Sequence, residues 1–265
     1  MNSFSINDWW NSVFLNILSG VFANLIVILL FAGLGWLAYK LLRRDVLLQF
    51  FGVYKDRHVT IYLSNLSIML GGAYDNKGVP RSYQGQAVAM KEMLVAIKFR
   101  ESFNQVFPGL SDQPGFLSRL LLSDMKVNII ISSEEHKYLE SRNTIISLGS
   151  PGYNSFSKYI ENNLKSRASF VVDCNAFQID HLDSFTGSEF GFIEKIVDKK
   201  RRQTIFYVAG LTDVGTVGAA DFLLREWEYL STKFKADESF VQLLAFKQYP
   251  RQNDHLVGPL TTKHL

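Results

Sequence analysis

The chain has 265 residues with a formal net charge of +3 at pH 7, and 20% of the residues are charged. Basic and acidic residues are interspersed along the sequence, which does not indicate a surface for nucleic acid. The single cysteine, Cys174, excludes an intrachain disulfide and a cysteine-based zinc site and suits a reducing compartment. The length allows one large domain or two small ones.

Residues 17–38 form an uncharged apolar run in which only Ser19 and Asn24 are clearly polar. As a helix this run reaches about 33 Å, which is enough to cross a hydrocarbon core of about 30 Å. Aromatic residues stand at both ends, as is typical of membrane interfaces: Trp9, Trp10, Trp36 and Tyr39. The run therefore predicts a transmembrane helix.

The charges around this run favour one orientation. No lysine or arginine precedes it, which argues against a secretory signal peptide, whereas several basic residues follow it: Lys40, Arg43, Arg44, Lys55 and Arg57. The positive-inside rule then predicts a single-pass protein with the N-terminus outside and the rest in the cytoplasm. A hairpin of two spans is the alternative, although residues 10–42 are short for it.

The sequence after the run predicts an α/β domain, because apolar strands alternate with amphipathic helices. We predict strands at residues 59–63, 126–131, 144–148, 170–173, 190–197, 204–209 and 240–247, and helices at 86–107, 155–164 and 219–231. Residues 45–54 continue the first helix to a stop at Gly52.

We accordingly divide the chain into four parts. Residues 1–44 are the N-terminal tail and transmembrane helix, and residues 45–58 are a juxtamembrane linker. Residues 59–250 are a Rossmann-like three-layer α/β domain of the nucleotide-binding kind, and residues 251–265, which show no pattern, are a C-terminal tail.

Two glycine-containing segments follow predicted strands and lead into helices: residues 149–154, GSPGYN, and residues 210–218, GLTDVGTVG. Open α/β sheets bind ligands outside the carboxyl ends of their strands, and helix N-termini favour anions. The second segment lacks the lysine of a Walker loop, and the dinucleotide fingerprint is absent. We predict a nucleotide-like ligand held by Gly149, Ser150, Asn154, Gly210, Asp213, Gly215 and Thr216. A purely structural role in strand-to-helix turns is the alternative.

A third glycine-rich segment, residues 71–85, precedes the helix that carries Glu92. Arg81 is its best anion ligand because the guanidinium is a planar fork of donors. A buried Glu92 is a candidate acid/base, or could orient a ribose, as in enzymes that cleave N-glycosidic bonds. The alternative is a solvated carboxylate paired with Lys91 or Lys98. For Asp213 the alternative is stabilisation of a helix N-terminus.

Other chemistry has little support in the sequence. The 5 histidines show no metal-binding spacing, so we predict neither a metal nor a cofactor. Cys174 is expected to be a small buried residue rather than a nucleophile. The basic run at residues 198–203 is expected to be a solvated hairpin tip, with contact to anionic lipid or RNA as the alternative.

A resemblance to a known family rests on the apolar run, the strand VTIYL with the following SNL, the loop GGAYDNKGVPRSYQG and Glu92. The chain resembles bacterial membrane-anchored proteins of anti-phage defence, and the family most similar to it is that of the retron-associated transmembrane effectors. The resemblance covers residues 10–230. It implies a toxin-like effector at the bacterial inner membrane. By the same resemblance, a regulatory protein or ribonucleoprotein partner restrains this effector until infection, and the effector then disrupts the membrane. Such effectors often have two spans, whereas one is counted here, and no catalytic assignment is carried over.

Small residues in the apolar run favour association into a homo-oligomer. Ser19 and Ala23 form a small-x-x-x-small pair, and Asn24 places a polar group among lipid tails. Three functions follow. The first is a defence effector that senses a nucleotide-like ligand or a partner and disrupts the inner membrane. The second is a membrane-tethered enzyme that cleaves NAD or nucleosides, and the third is a passive membrane scaffold.

Overall fold

The computed structural model describes residues 6–53, 58–66, 88–104, 126–132, 144–171, 176–180, 184–187, 190–246 and 256–263, with the backbone alone at 6–14, 17, 40 and 256–263. The chain forms two compact units, Met1–Asp45 and Val46–Leu265. The predictions for Arg81 and Cys174 lie outside the described residues.

The first helix, α1, spans Ile6–Phe51 and is longer at both ends than the predicted apolar run. Among the described residues it is the one helix that is long and apolar enough to cross a membrane, over Leu18–Phe51. Large apolar side chains along this stretch are exposed, including Phe31 at 70% and Leu34 at 60%. Contact of such apolar side chains with water costs free energy, whereas contact with lipid tails does not.

Gly52 ends α1 in the way the sequence predicts. Its φ of 67° lies in the left-handed region, which glycine adopts without strain. The Gly52 amide donates to the Gln49 carbonyl at 3.1 Å, and the Val53 amide donates to the Leu48 carbonyl at 2.8 Å. These two bonds form a Schellman cap, which satisfies the last carbonyl groups of the helix.

The last turn of α1 is part of the domain core rather than a solvated linker. Leu47, Phe50 and Phe51 are 6%, 1% and 1% exposed. Because buried phenylalanines contribute heavily to core stability, residues 47–53 belong physically to the α/β unit although they continue the apolar helix.

The strands, in chain order, are β1 (His58–Leu63), β2 (Lys126–Ile131), β3 (Thr144–Leu148), β4 (Ala168–Val171), β5 (Ala176–Ile179), β6 (Ser184–Phe185), β7 (Phe190–Asp198), β8 (Gln203–Gly210), β9 (Phe240–Phe246) and β10 (Leu256–Lys263). The helices after α1 are α2 (Met90–Asn104), α3 (Ser155–Asn163) and α4 (Asp213–Lys233). The predicted mixture of strands and helices is confirmed.

Seven strands form one mixed sheet in the order β10-β9-β7-β8-β3-β1-β2, and β4-β5-β6 form a separate sheet of three strands. The strands β2, β1, β3 and β8 pair in parallel. The strands β7, β9 and β10 pair antiparallel to their neighbours. The carboxyl ends of β1, β2, β3 and β8 therefore lie along one edge of the sheet.

Two apolar clusters cover the two faces of the main sheet. Successive side chains of a strand point to opposite faces, so Ile61 and Tyr62 of β1 belong to different clusters. The first face packs against the end of α1, α2 and α4. The second face packs against α3 and the small sheet. The parallel strands β1, β3 and β8 are buried on both faces, which explains why their sequences are continuous apolar runs.

Three parts of the fold differ from the sequence prediction. Helix α4 begins at Asp213, not at residue 219, because the Thr212 side chain caps its N-terminus. Strands β5 and β6 were not predicted. Strand β10 lies in the segment 251–265 that we predicted to be a tail, and it pairs with β9 across an irregular register between Val257 and Thr261. An edge strand with an irregular register lacks the regular alternation that identifies strands.

Candidate functional site

The described residues place the best candidate site at the carboxyl ends of β1 and β3, which are neighbours in the sheet. The helix after β1 packs on the first face and the helix after β3 packs on the second. Connections that leave on opposite faces open the edge between two strands, and ligands of α/β sheets bind at such points. We call residues 64–65, 92 and 149–154 the β1–β3 edge.

Glu92 lies in the first turn of α2 and is 7% exposed, so the alternative of a solvated carboxylate paired with lysine is wrong. The Ser64 amide donates to its Oε2 at 3.2 Å and the Ser64 hydroxyl donates to its Oε1 at 3.1 Å. A carboxylate has about four acceptor positions, so within the described part of the chain these two donors leave acceptor capacity on both oxygens.

Burial raises the pKa of Glu92 above its ordinary value. The two hydrogen bonds from Ser64 oppose this shift because they stabilise the charged form, and the negative charge of Asp213 adds to it. A buried carboxyl group with a raised pKa beside a sheet edge is a candidate for proton transfer.

Gly149 brings the end of β3 against this carboxylate. Its φ of 102° is one that side-chain-bearing residues rarely adopt, and a Cβ built there would meet the Ser64 hydroxyl and lie 3.4 Å from Glu92 Oε1. The Gly149 amide donates to the Val208 carbonyl of β8 at 3.0 Å, which fixes the turn. Glycine is required here by both backbone angle and close approach.

Asn154 joins the two strand ends and starts α3. Its side-chain amide donates to the Leu148 carbonyl at 2.8 Å and to the Tyr62 carbonyl at 3.3 Å. Its side-chain oxygen accepts from the Phe156 and Ser157 amides as the N-cap of the helix. Asn154 is 0% exposed, so its described role is to hold the edge together.

Ser150 is 9% exposed, and its carbonyl accepts from the Tyr153 and Asn154 amides. These bonds close the turn of GSPGYN directly above the end of β3. The predicted residue Gly149 therefore lies against Glu92, and Ser150 and Asn154 belong to the same turn at the end of β3.

The second glycine segment is different, because its described glycine contacts are close packing within the segment and against β7. The Gly210 amide donates to the Thr216 hydroxyl at 3.0 Å, and Thr216 is 4% exposed. A Cβ at Gly210 would lie 2.6 Å from Gly215 Cα, and one at Gly215 would meet the Phe190 carbonyl. These glycines allow α4 to pack closely on β7 and β8, which is the structural role weighed in the sequence analysis.

Asp213 is the residue of this segment that acts on the β1–β3 edge. Its Oδ2 lies 2.7 Å from Lys91 Nζ in an ion pair whose side chains are 61% and 48% exposed. Lys91 is adjacent to Glu92 in α2, so the pair ties the N-termini of α2 and α4 together. Exposed pairs contribute little stability, but this one places a positive and a negative charge beside the edge.

Three polar residues at the strand ends were not singled out from the sequence. Asn65 follows β1, and its backbone amide donates to the Tyr153 carbonyl at 2.7 Å. Ser132 follows β2, and its hydroxyl pairs with that of Ser155 at 2.5 Å. With Ser64 they form polar ends to apolar strands, and this change from apolar to polar is the signal that could have found them.

Another buried carboxylate, Glu194 of β7, lies away from the edge on the second face. It accepts from the Ser166 hydroxyl at 2.6 Å and from the Arg167 and Ala168 amides at 2.7 Å and 3.5 Å. Burial raises its pKa to about 7 against the effect of these donors. Three donors and a covering sheet indicate a structural group.

Within the described part of the chain, no group of three His, Cys, Asp or Glu residues could hold a metal ion. All of residues 71–85, including Arg81, belong to the segment between β1 and α2 that lies outside the described residues. No family model, curated protein or solved structure matches this chain. The function must therefore be argued from the site itself.

Proposed function

We propose that this protein is a membrane-anchored receptor for a nucleotide-like ligand, with a Rossmann-like three-layer domain on the cytoplasmic side of a bacterial inner membrane. The observation that carries the proposal is the buried Glu92 at the β1–β3 edge, between helices on opposite faces of the sheet. This is the position at which α/β sheets bind nucleotides. A carboxylate with acceptor capacity suits the hydroxyl groups of a ribose.

The exposed apolar surface of α1 supports the anchoring part of the proposal. Its 46 residues extend about 69 Å, which exceeds the thickness of a hydrocarbon core. Asn24 is exposed on the apolar helix, and a polar side chain among lipid tails favours a partner helix. We therefore propose a homo-oligomer in which these helices contact each other and lipid, with the N-terminus outside.

In this proposal the protein is a defence effector, whose helices perturb the membrane when the ligand or a regulatory partner acts on the domain. The raised pKa and burial of Glu92 favour a second candidate, a membrane-tethered enzyme that cleaves NAD or nucleosides. In that reaction the bond between the ribose C1′ and the base nitrogen breaks and water forms the new C1′–O bond, while the Glu92 carboxylate accepts the proton that the water loses. Nicotinamide leaves NAD as a neutral base, and a nucleoside base leaves with that proton.

One experiment separates these functions. The wild-type chain, a form without residues 17–38, Asn24→Leu and Glu92→Gln are induced in a bacterial host while membrane potential and cellular NAD are followed together. An effector depolarises cells, and both the deletion and Asn24→Leu abolish the effect while NAD stays constant. An enzyme lowers NAD, and Glu92→Gln abolishes this loss. If no form changes either quantity, the protein is a scaffold and both proposals fail.

A further inference from the structure

Helix α2 carries one buried stripe from the β1–β3 edge to the end of α1. Glu92, Ala96, Phe99 and Phe103 are spaced by four, three and four residues, so they share one side of the helix. They are 7%, 0%, 0% and 5% exposed. Eleven residues of helix separate the two ends of the stripe by about 17 Å.

The far end of the stripe contacts the last residue of α1. The rings of Phe103 and Phe51 meet edge to face at 5.0 Å, and Phe51 also meets Phe206 of β8 at 4.9 Å. The Thr144 hydroxyl of β3 donates to the Phe51 carbonyl at 2.9 Å. The end of α1 is therefore held by α2 and by two strands, with no intervening linker.

Two ion pairs join α2 to α4 on the outside. Lys91 pairs with Asp213, and Lys98 pairs with Asp221 at 3.1 Å. Helix α3, which also starts at the β1–β3 edge, packs on the second face and shares no cluster with the end of α1. Within the described residues, α2 is the helix from this edge whose side chains pack with the end of α1.

We propose that the state of the β1–β3 edge is transmitted along α2 to the end of α1, so that the Glu92 carboxylate regulates the membrane helix. This inference rests on the proposed function for the identity of the ligand but not for the coupling. A packed helix moves as a unit, because its side chains interdigitate and leave no space for a local adjustment. A ligand or substitution that shifts Glu92 therefore displaces Phe103 against Phe51.

Hydrogen exchange of residues 46–53 tests the coupling in the full-length chain in lipid nanodiscs. Glu92→Gln removes the negative charge at nearly constant shape, and we expect it to change exchange in this segment about fivefold or more. In a Phe103→Leu background the Glu92→Gln effect disappears, because the aromatic contact with Phe51 is lost. In a Phe177→Leu background, a matched change in the second cluster, the effect remains.

Amides of β9 report global unfolding in every variant, and Phe103→Met replaces Phe103→Leu if the latter does not fold. Unchanged exchange at residues 46–53 in Glu92→Gln, or an effect that survives loss of Phe103, overturns the inference. NAD added to the wild type forms the second arm. If NAD binds and hydrogen exchange at residues 46–53 does not change, the coupling is overturned and the proposed ligand is not. Absence of binding together with the Glu92→Gln effect counts against NAD as the ligand and supports the coupling.

Discussion

Glu92 and Glu194 are both buried carboxylates in the same domain, yet their surroundings differ in ways that separate a candidate site from a structural group. Glu194 lies within β7 beneath the small sheet and accepts from three consecutive residues. Glu92 lies at the end of parallel strands and faces a glycine turn, and among the described residues its donors both belong to Ser64. Burial by itself is therefore a poor guide to function. The number of hydrogen-bond donors and the position in the sheet distinguish the candidate site from the structural group.

The arrangement around Glu194 explains its structural role. The Ser166 hydroxyl lies 2.6 Å from both the Ala168 carbonyl and Glu194 Oε2 and donates its single proton to one of them, and Arg167 pairs with Asp180 at 2.6 Å. The bonds to Glu194 join the start of β4 to β7, and the Arg167–Asp180 pair joins it to the end of β5. In contrast, Asn154 joins the ends of β1 and β3 through its side-chain amide. Among the described residues, Glu92 is therefore not needed to connect these two strands.

The largest effect is expected from Glu194→Leu. This change leaves the amides of Arg167 and Ala168 and the Ser166 hydroxyl without their acceptor, and we expect the free energy of unfolding to fall by about 3–5 kcal/mol. Denaturant unfolding of the full-length chain in detergent measures it. Glu101→Leu, an exposed glutamate of α2, is the control and should change stability by less than about 0.5 kcal/mol. Equal effects of the two changes would refute the assignment.

The second prediction concerns pH. Burial raises the pKa of Glu194 from 4.5 to about 7, so the folded state holds a proton that the unfolded state releases between these values. Stability from this group is therefore present below pH 4.5 and lost as pH rises to about 7, by about 3 kcal/mol. The difference between the wild type and Glu194→Gln, measured by denaturant unfolding across this range, should show that slope. A flat difference contradicts the burial of a protonated carboxyl group.

Gly149→Ala should cost about 1–3 kcal/mol in the free energy of unfolding. The new methyl group forces a φ of 102° on a side-chain-bearing residue and meets the Ser64 hydroxyl that supports Glu92. Because the change is at the β1–β3 edge, the free energy of ligand binding should fall by more than the free energy of unfolding. Gly33→Ala in α1, where a Cβ meets nothing within 4 Å, is the matched control. If both alanines are tolerated equally, the edge is not built as described.

The smallest effect is expected from Lys91→Met, which breaks an ion pair whose side chains are half exposed. Its cost in stability should stay below about 1 kcal/mol. Loss of the pair leaves the negative charge of Asp213 uncompensated near Glu92, so the pKa of Glu92 should rise further. Titration of Glu92 by carboxyl-carbon NMR in the wild type and in Lys91→Met measures this shift. A downward shift would contradict the proposed proximity of Asp213.

The sequence predicts this architecture unevenly, and particular residues show why. Strands β1, β3, β7, β8 and β9 were found because strands inside the sheet are largely apolar runs, and the edge strand β2 was found because its own residues are mostly apolar. Gly52 and the GSPGYN turn were found because positive φ and helix caps have strong residue preferences. The strands β5, β6 and β10 were missed, since short or edge strands depend on their partners rather than on their own pattern.

The two glycine segments show the limit of motif reasoning. Glycine and threonine before a helix serve anion binding and close packing equally well, so Gly210, Gly215 and Thr216 have the same sequence signature in both cases. Only the contacts of Gly215 with β7 identify packing. In the same way, the burial of Glu92 depends on which side of α2 faces the sheet, and the mixed residues of that helix leave this side undetermined before the strands are in place.

Photochemical labelling tests the central claim most directly. The full-length chain in nanodiscs is irradiated with an azido derivative of NAD or of ATP, and the labelled peptides are identified by mass spectrometry. We expect saturable labelling of residues 58–66, 88–104 and 144–154, competed by the unmodified nucleotide and lost in Gly149→Val. Labelling that does not saturate, or that falls on the second face around Glu194, would contradict a nucleotide-like ligand at the β1–β3 edge.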